Sequence, residues 1–183
     1  MKRTLNTLIL TSALAVGLAS AATTTSAPMT DSEIAAKAAK EIRTYYQYTI
    51  WDNVALEVRD GHAELSGQVS QPFKKKDMER LVQRVPGVTS VTNRLEVLPT
   101  SFYDDELRIR IARAIYRHPA LSRYAIQYTP PIHIIVKNGH VTLEGIVNNE
   151  LERTVAFTRA STAALSLGKV ENNLRVENEK KRG

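Results

Sequence analysis

The sequence predicts an α+β protein built from two tandem copies of one αββαβ unit, each a small three-stranded sheet with two helices packed on it. Three observations predict it. The stretch VRDGHAELSGQV, Val58 to Val69, returns 78 positions later as VKNGHVTLEGIV, Val136 to Val147. The pattern Val91-x-Asn93-x-Leu95-x-Val97 returns as Val170-x-Asn172-x-Leu174-x-Val176, offset by 79. Stretches of helical period precede each hairpin and separate it from that last strand.

In the first copy, Thr30-Asp31-Ser32-Glu33 has the form of a capping box and leads into Ile34, Ala38 and Ile42 on one helical face. Val54, Leu56 and Val58 alternate before Asp60-Gly61, a dipeptide suited to a turn with positive φ at both central residues; Ala63 and Leu65 follow, ending near Gly67. Pro72 opens a second helix with Met78, Leu81, Val82 and Val85 on one side, and Val91 to Val97 reads as one continuous strand. In the second copy, Asp104-Asp105-Glu106 starts a helix where the dipole favours acids. Leu107, Ile111 and Ile115 follow, and His118-Pro119 ends it. Ile132, Ile134 and Val136 lead into the Asn138-Gly139 turn, Val141 and Leu143 leave it, and Leu151 and Val155 open the next helix. The expected units are residues 30–98 and 104–177, with a linker at 99–103 and a polar tail at 178–183.

The beginning of the chain carries Lys2 and Arg3, an apolar run from Leu5 to Leu18, and Ala19-Ser20-Ala21, a small-x-small cleavage pattern. Residues 1–21 are therefore read as a secretory signal removed near Ala21, with 22–29 a flexible N-terminus. The expected location is periplasmic, with peripheral contact to a membrane left open. No later segment approaches the roughly 20 apolar residues of a spanning helix. The absence of cysteine excludes disulfides, thiol catalysis, cysteine-bound metal and a lipoprotein anchor. Residues 22–103 balance 10 basic against 10 acidic side chains, while 104–183 carry 13 against 9, so the excess positive charge sits in the second copy.

The element order, the hairpin Asn138-Gly139-HVTLEG-IV, the helix start Asp104-x-x-Leu107 and Val-Pro-Gly-Val-x-x-Val-x-Asn-x-Leu, Val85 to Leu95, resemble the BON domain, named for bacterial osmotically inducible and nodulation proteins. Two such domains behind a signal peptide resemble the osmotically induced periplasmic proteins of Gram-negative bacteria, over nearly the whole mature chain. The resemblance implies an αββαβ fold per copy, an envelope location with a link to osmotic stress, phospholipid binding and no enzymatic activity. Two departures stand out. The first copy has a longer, more aromatic connection between helix and hairpin (Tyr45, Tyr46, Tyr48, Trp51), and the second has Ser166 where Gly87 of the Pro-Gly-Val turn would fall.

No catalytic residue, metal ligand or cofactor is expected. The four histidines lack ligand spacing, and the repeated His62 and His140 read as exposed residues beside a turn. Gly61 and Gly139 supply the turns, and Gly67 and Gly145 are expected to allow a bulge or a close helix approach. Asn93 and Asn172 are expected to bond neighbouring backbone. At 100° per residue Arg110, Arg113 and Arg117 fall within about 60°, with Leu107, Ile111, Ala114 and Ile115 opposite. That basic stripe, joined by Arg108, Arg123, Tyr116 and Tyr124, is the candidate for docking on an anionic phospholipid surface. The alternative is a protein-interaction module within an envelope or secretion complex, anchored by Tyr45, Tyr46, Tyr48 and Trp51 with Lys74, Lys75 and Lys76. The lysine run has a plainer reading as a solvated charge cluster, and nucleic acid is not expected as a partner.

Overall fold

The structure, a computed structural model, describes residues 29–165 and 169–177. The expected signal segment 1–21, most of the 22–29 terminus, Ser166 and the 178–183 tail lie outside the described residues.

The first unit opens with α1, Asp31–Thr44, whose capping box is complete: Glu33 N donates to Thr30 Oγ1 at 3.3 Å and Thr30 N donates to Glu33 Oε2 at 2.8 Å. Ile34, Ala38 and Ile42, one turn apart, are its buried residues. β1, Asn53–Arg59, and β2, His62–Val69, form an antiparallel hairpin with Arg59 opposite His62 and Leu56 opposite Leu65. Asp60 and Gly61 take φ of 51° and 73°, as a two-residue primed turn requires. Helix α2, Pro72–Gln83, crosses to β3, Ser90–Asn93, and β4, Glu96–Val97, both parallel to β2.

The third strand of this unit is thus split where the sequence predicts continuity. At the break Asn93 Oδ1 accepts from Leu95 N at 3.1 Å, while Arg94 N still donates to Leu65 O of β2 at 2.8 Å. The pairing then resumes in the same register, Leu65 opposite Asn93 before the break and Gln68 opposite Glu96 after it.

The second unit repeats the plan with α3, Phe102–Tyr116; β5, Ile132–Lys137; β6, His140–Val147; α5, Glu150–Ala164; and an unbroken β7, Val170–Val176. Its sheet runs β5-β6-β7, antiparallel then parallel. The extra short helix α4, Ser122–Ala125, lies between α3 and β5. The connection is therefore longer in the second unit (117–131) than in the first (45–52), the reverse of the expectation.

Each unit has its own apolar core, and the first unit's connection bridges them: Ile50 and Trp51 pack against the core of the second. Ile134 N donates to Ile50 O at 2.7 Å, the Tyr48 ring lies 5.4 Å from the His133 ring, Thr129 Oγ1 donates to Arg43 O at 3.2 Å, and Lys137 pairs with Glu96 at 2.6 Å. Of the aromatic connection, Tyr48 and Trp51 thus lie between the units rather than out in solvent.

Candidate docking face of the second unit

Ser101 caps α3 by accepting from Asp104 N at 3.2 Å, and burial of Leu107, Ile111 and Ile115 fixes the rotation of the helix. Arg113 and Arg117 consequently point outward and are exposed, with Arg110 half-buried beside them. Ala114 belongs to the same side: it is half-buried and floors a cleft of about 460 Å³ lined by Arg113, Arg117, His118, Pro119 and Arg159. Arg159 comes from α5 and is absent from the sequence-derived set. The available signal was the stripe Ala156, Ala160 and Ala164, which sets the buried face of α5 and leaves Arg159 at its flank. A second hollow, about 540 Å³, adjoins the first and is lined by Phe102, Asp105, Glu106, Ile109, Arg110 and Arg113. Phe102 is 86% exposed and Ile109 45%. Among the described residues, no carboxylate lies within ion-pair distance of Arg110, Arg113, Arg117 or Arg159.

Four residues grouped with the stripe are used elsewhere. Arg108 is buried, pairs with Asp105, and donates through Nη2 to Val136 O at 2.6 Å. The Tyr116 hydroxyl donates to Ile132 O at 2.6 Å. Together with the Ile134–Ile50 bond, these contacts engage one outward backbone group at each of Ile132, Ile134 and Val136 along the edge of β5. Tyr124 is buried; its hydroxyl donates to Glu152 Oε2 at 2.5 Å and accepts from Asn148 N at 3.0 Å. Arg123 pairs with Glu152 and sits 5.1 Å over the Tyr124 ring. Burial pushes the Glu152 carboxyl up, but the Tyr124 hydroxyl, the Asn148 N–H and Arg123 outweigh it and hold the group below its ordinary value.

The other candidate cluster also disperses. Tyr45 donates to Asp77 Oδ2 at 2.5 Å, and burial, reinforced by Asp77, raises its pKa. Tyr48 lies against His133, and burial pushes its hydroxyl up to about 12. Trp51 is taken by the second core, and only Tyr46, 77% exposed, faces solvent. Lys74 is buried against Asp52, so the lysine run is not a uniformly solvated cluster; Lys75 is half-buried and Lys76 exposed.

His62 is tied across the sheet, Nδ1 to Ser90 Oγ at 2.7 Å and Nε2 to Thr92 Oγ1 at 3.1 Å, whereas His140 is exposed. Gly139 and Asn138 repeat the turn at φ of 78° and 51°. Gly67 and Gly145 make room for a neighbouring strand end, not a helix: an added Cβ would lie 2.2 Å from Asn53 O and 1.8 Å from Pro131 O. Asn93 Nδ2 donates to Lys75 O at 2.8 Å, and Asn172 Nδ2 to Arg153 O at 3.5 Å. Among the described residues no group of three or more His, Cys, Asp or Glu side chains is arranged to hold a metal.

A family model described as the BON domain matches residues 30–99 and again residues 104–178. The chain belongs to the BON domain family. The two-sheet α+β architecture is that of a tandem BON protein, and membership fits an envelope-associated, non-enzymatic protein. BON domains occur in periplasmic proteins, and among the described residues no helix is long and apolar enough to cross a membrane. No curated protein matches the chain. One similar solved structure is described as the C-terminal domain of CdsD, the structural protein of the Type III secretion system of Chlamydia trachomatis. It is 15% identical with a TM-score of 0.31, and the match covers 76% of this chain and 64% of that one. A second structure of CdsD is 14% identical with a TM-score of 0.28, covering 81% and 95%. Likenesses this low carry nothing about partners or assembly.

Proposed function

We propose that this tandem BON protein is an exported, non-enzymatic envelope protein that docks reversibly on anionic phospholipid through the helical face of its second BON domain. The observation that carries the reading is the set Arg110, Arg113, Arg117 and Arg159 on α3 and α5, without carboxylate partners among the described residues and flanked by exposed Phe102 and Ile109. Each basic side chain near an anionic bilayer contributes about 1 kcal/mol, so four give about 4 kcal/mol, roughly a 10³-fold gain. Binding of that size is reversible and sensitive to salt. Insertion of Phe102 and Ile109 supplies the second signal that steadier attachment needs.

Vesicle flotation tests this. The purified protein should float with phosphatidylglycerol or cardiolipin vesicles and not with phosphatidylcholine ones. Flotation should weaken at about 0.3 M salt, where the screening length falls below ~8 Å. The triple variant Arg113→Ala, Arg117→Ala, Arg159→Ala should stay folded and stop floating. Undiminished flotation of that variant would remove the site assignment, and no flotation of the wild type under any condition would overturn the lipid reading.

A further inference from the structure

The two units treat the same strand edge differently. β1 and β5 each lie at the margin of their sheet, with β2 and β6 as their sheet partners. Arg59 faces His62, and Lys137 faces His140, across two-residue turns. Hydrogen bonds to the partner strand therefore fall on alternate residues, and the backbone groups of the others point away. The outward residues are Val54, Leu56 and Val58 in β1, and Ile132, Ile134 and Val136 in β5.

In β5 all three positions are engaged, by Tyr116, the Ile50 carbonyl and Arg108 respectively. The residues at the matching positions of α1, seventy-three earlier, are Arg43 for Tyr116 and Ala35 for Arg108. Ala35 has no polar atom to offer, and Arg43 is exposed, its side chain making no hydrogen bond to β1. The Tyr48 hydroxyl lies against the Val54 N–H. Among the described residues, no hydrogen bond reaches the Val54 carbonyl or the outward groups of Leu56 and Val58.

A groove of about 470 Å³ runs beside this edge. Ala35, Ala39 and Leu56 line one side, Pro131 and Ile146 the other, and Arg43 and Arg175 stand along it. Neither arginine forms an ion pair among the described residues, while Glu144, also at the groove, accepts from Asn173 Nδ2 at 2.8 Å.

We propose that the outer edge of β1 is a strand-addition site for an extended, acidic peptide segment of a protein partner. Its backbone pairs with the outward groups of Leu56 and Val58 and with the Val54 carbonyl, and its carboxylates meet Arg43 and Arg175. The small side chains of Ala35 and Ala39 leave space for the added strand. The second unit serves as the internal control, because one fold closes this edge where it carries Arg108 and Tyr116 and leaves it open where it carries Ala35 and Arg43. The site is separate from the lipid-docking face, so neither proposal depends on the other.

The probes are a peptide of alternating valine and glutamate, eight residues long and blocked at both ends, and its valine–lysine counterpart. Amide exchange of the purified protein is followed by NMR. The glutamate peptide should slow exchange at Leu56 and Val58 by about tenfold and leave Ile134 unchanged; the lysine peptide should do neither. Ala35→Arg, which gives β1 the residue that closes β5, should abolish the effect. Should that variant fold poorly, Leu56→Pro removes an outward N–H that the β1–β2 ladder does not use, and peptide binding read by fluorescence anisotropy should be lost. Failure of the glutamate peptide to protect Leu56 and Val58, or equal protection by the lysine peptide, overturns the proposal. Protection that grows with protein concentration in the absence of peptide assigns the edge to a second copy of the chain and overturns it equally.

Discussion

The Lys74 ammonium lies 2.6 Å from Oδ2 of Asp52, with the two side chains only 4% and 0% exposed. The pair is fully furnished: Lys74 also reaches Ser70 Oγ at 2.8 Å, and Asp52 accepts from Ser70 N at 2.7 Å and Thr49 N at 2.9 Å. Asp52 follows Trp51, which packs on the second core, so the ion pair fixes the segment joining the two units. Removing one partner leaves a buried, uncompensated charge. Lys74→Met should therefore destabilise the protein by about 3–5 kcal/mol, and Lys74→Met with Asp52→Asn, which removes the stranded charge but keeps an acceptor for Thr49 N and Ser70 N, should recover part of that loss. Lys76→Met, at an exposed neighbour, should stay within about 0.5 kcal/mol. Urea unfolding midpoints of the four proteins check the order.

Acidification should weaken the protein in two separate stages. His133 is buried, its Nδ1 has no hydrogen-bond partner among the described residues, and burial lowers its pKa below 6.5 even though the Asp52 and Thr49 carbonyls pull the other way. The unfolded chain therefore binds the proton first, and the stability tied to neutral His133 is complete above about pH 6.5 and lost as pH falls through the lower folded value. Asp52 follows the same sign in a lower window. Burial raises its pKa, Lys74 and the Ser70 N–H lower it by more, and its contribution is complete above the ordinary 3.8 and lost as pH falls beneath it. Thermal midpoints measured from pH 7.5 down to pH 3 should show both declines. His133→Phe, which keeps a ring against Tyr48, should remove the first decline and leave the second.

The turns and cores were legible because each depends on local rules. Asp60-Gly61 and Asn138-Gly139 fit a positive φ at both turn positions, and a period of four exposes Ile34, Ala38 and Ile42 as one face. The family followed from such patterns. The site was legible only in part, because long side chains are assigned by what they meet. Arg108 and Arg110 are two residues apart on one helix, yet Arg108 reaches the Val136 carbonyl twenty-eight residues away, and no helical wheel contains that carbonyl. Lys74 reads as one of three solvated lysines until Asp52 is placed beside it. Arg159 joins Arg113 and Arg117 only through the packing of α5 on α3.

Asp104 was legible as a helix-start acid but not as what it does across the fold. Its buried carboxylate accepts from Asn138 N at 2.9 Å and Gly139 N at 2.8 Å, holding the hairpin turn against α3. Asp31 does the same for Asp60 N at 2.7 Å and Gly61 N at 2.9 Å. Hydrogen bonds to a charged group contribute about 1.5–3 kcal/mol, and Asp104→Ala also strands two turn donors. The variant should lose about that amount or more, with faster amide exchange at Gly139. Asp31→Ala should lose less, because Asp31 is only half-buried and water can replace part of what it supplies. Equal losses at the two positions would mean that burial of the carboxylate does not set the strength of this clamp.

Gly145 gives the sharpest test of how the sheets begin. It stands at φ 122° in β6, where a Cβ would meet the Pro131 carbonyl oxygen at 1.8 Å, and Gly67 repeats the geometry at φ 109° with Asn53 O at 2.2 Å. Both obstacles are backbone, so no side-chain rotation relieves them. Positive φ for a residue with a side chain adds a cost of its own, about 1–3 kcal/mol. Gly145→Ala and Gly67→Ala should each destabilise by at least about 3 kcal/mol, by the clash and the strain together. Pro131 borders the groove beside β1, and Ile146 N donates to its carbonyl at 3.3 Å. Gly145→Ala should therefore also disturb the amide signals of Ile146 and Ile132. A variant as stable as the wild type, with those signals unmoved, would show that this close approach can relax without cost.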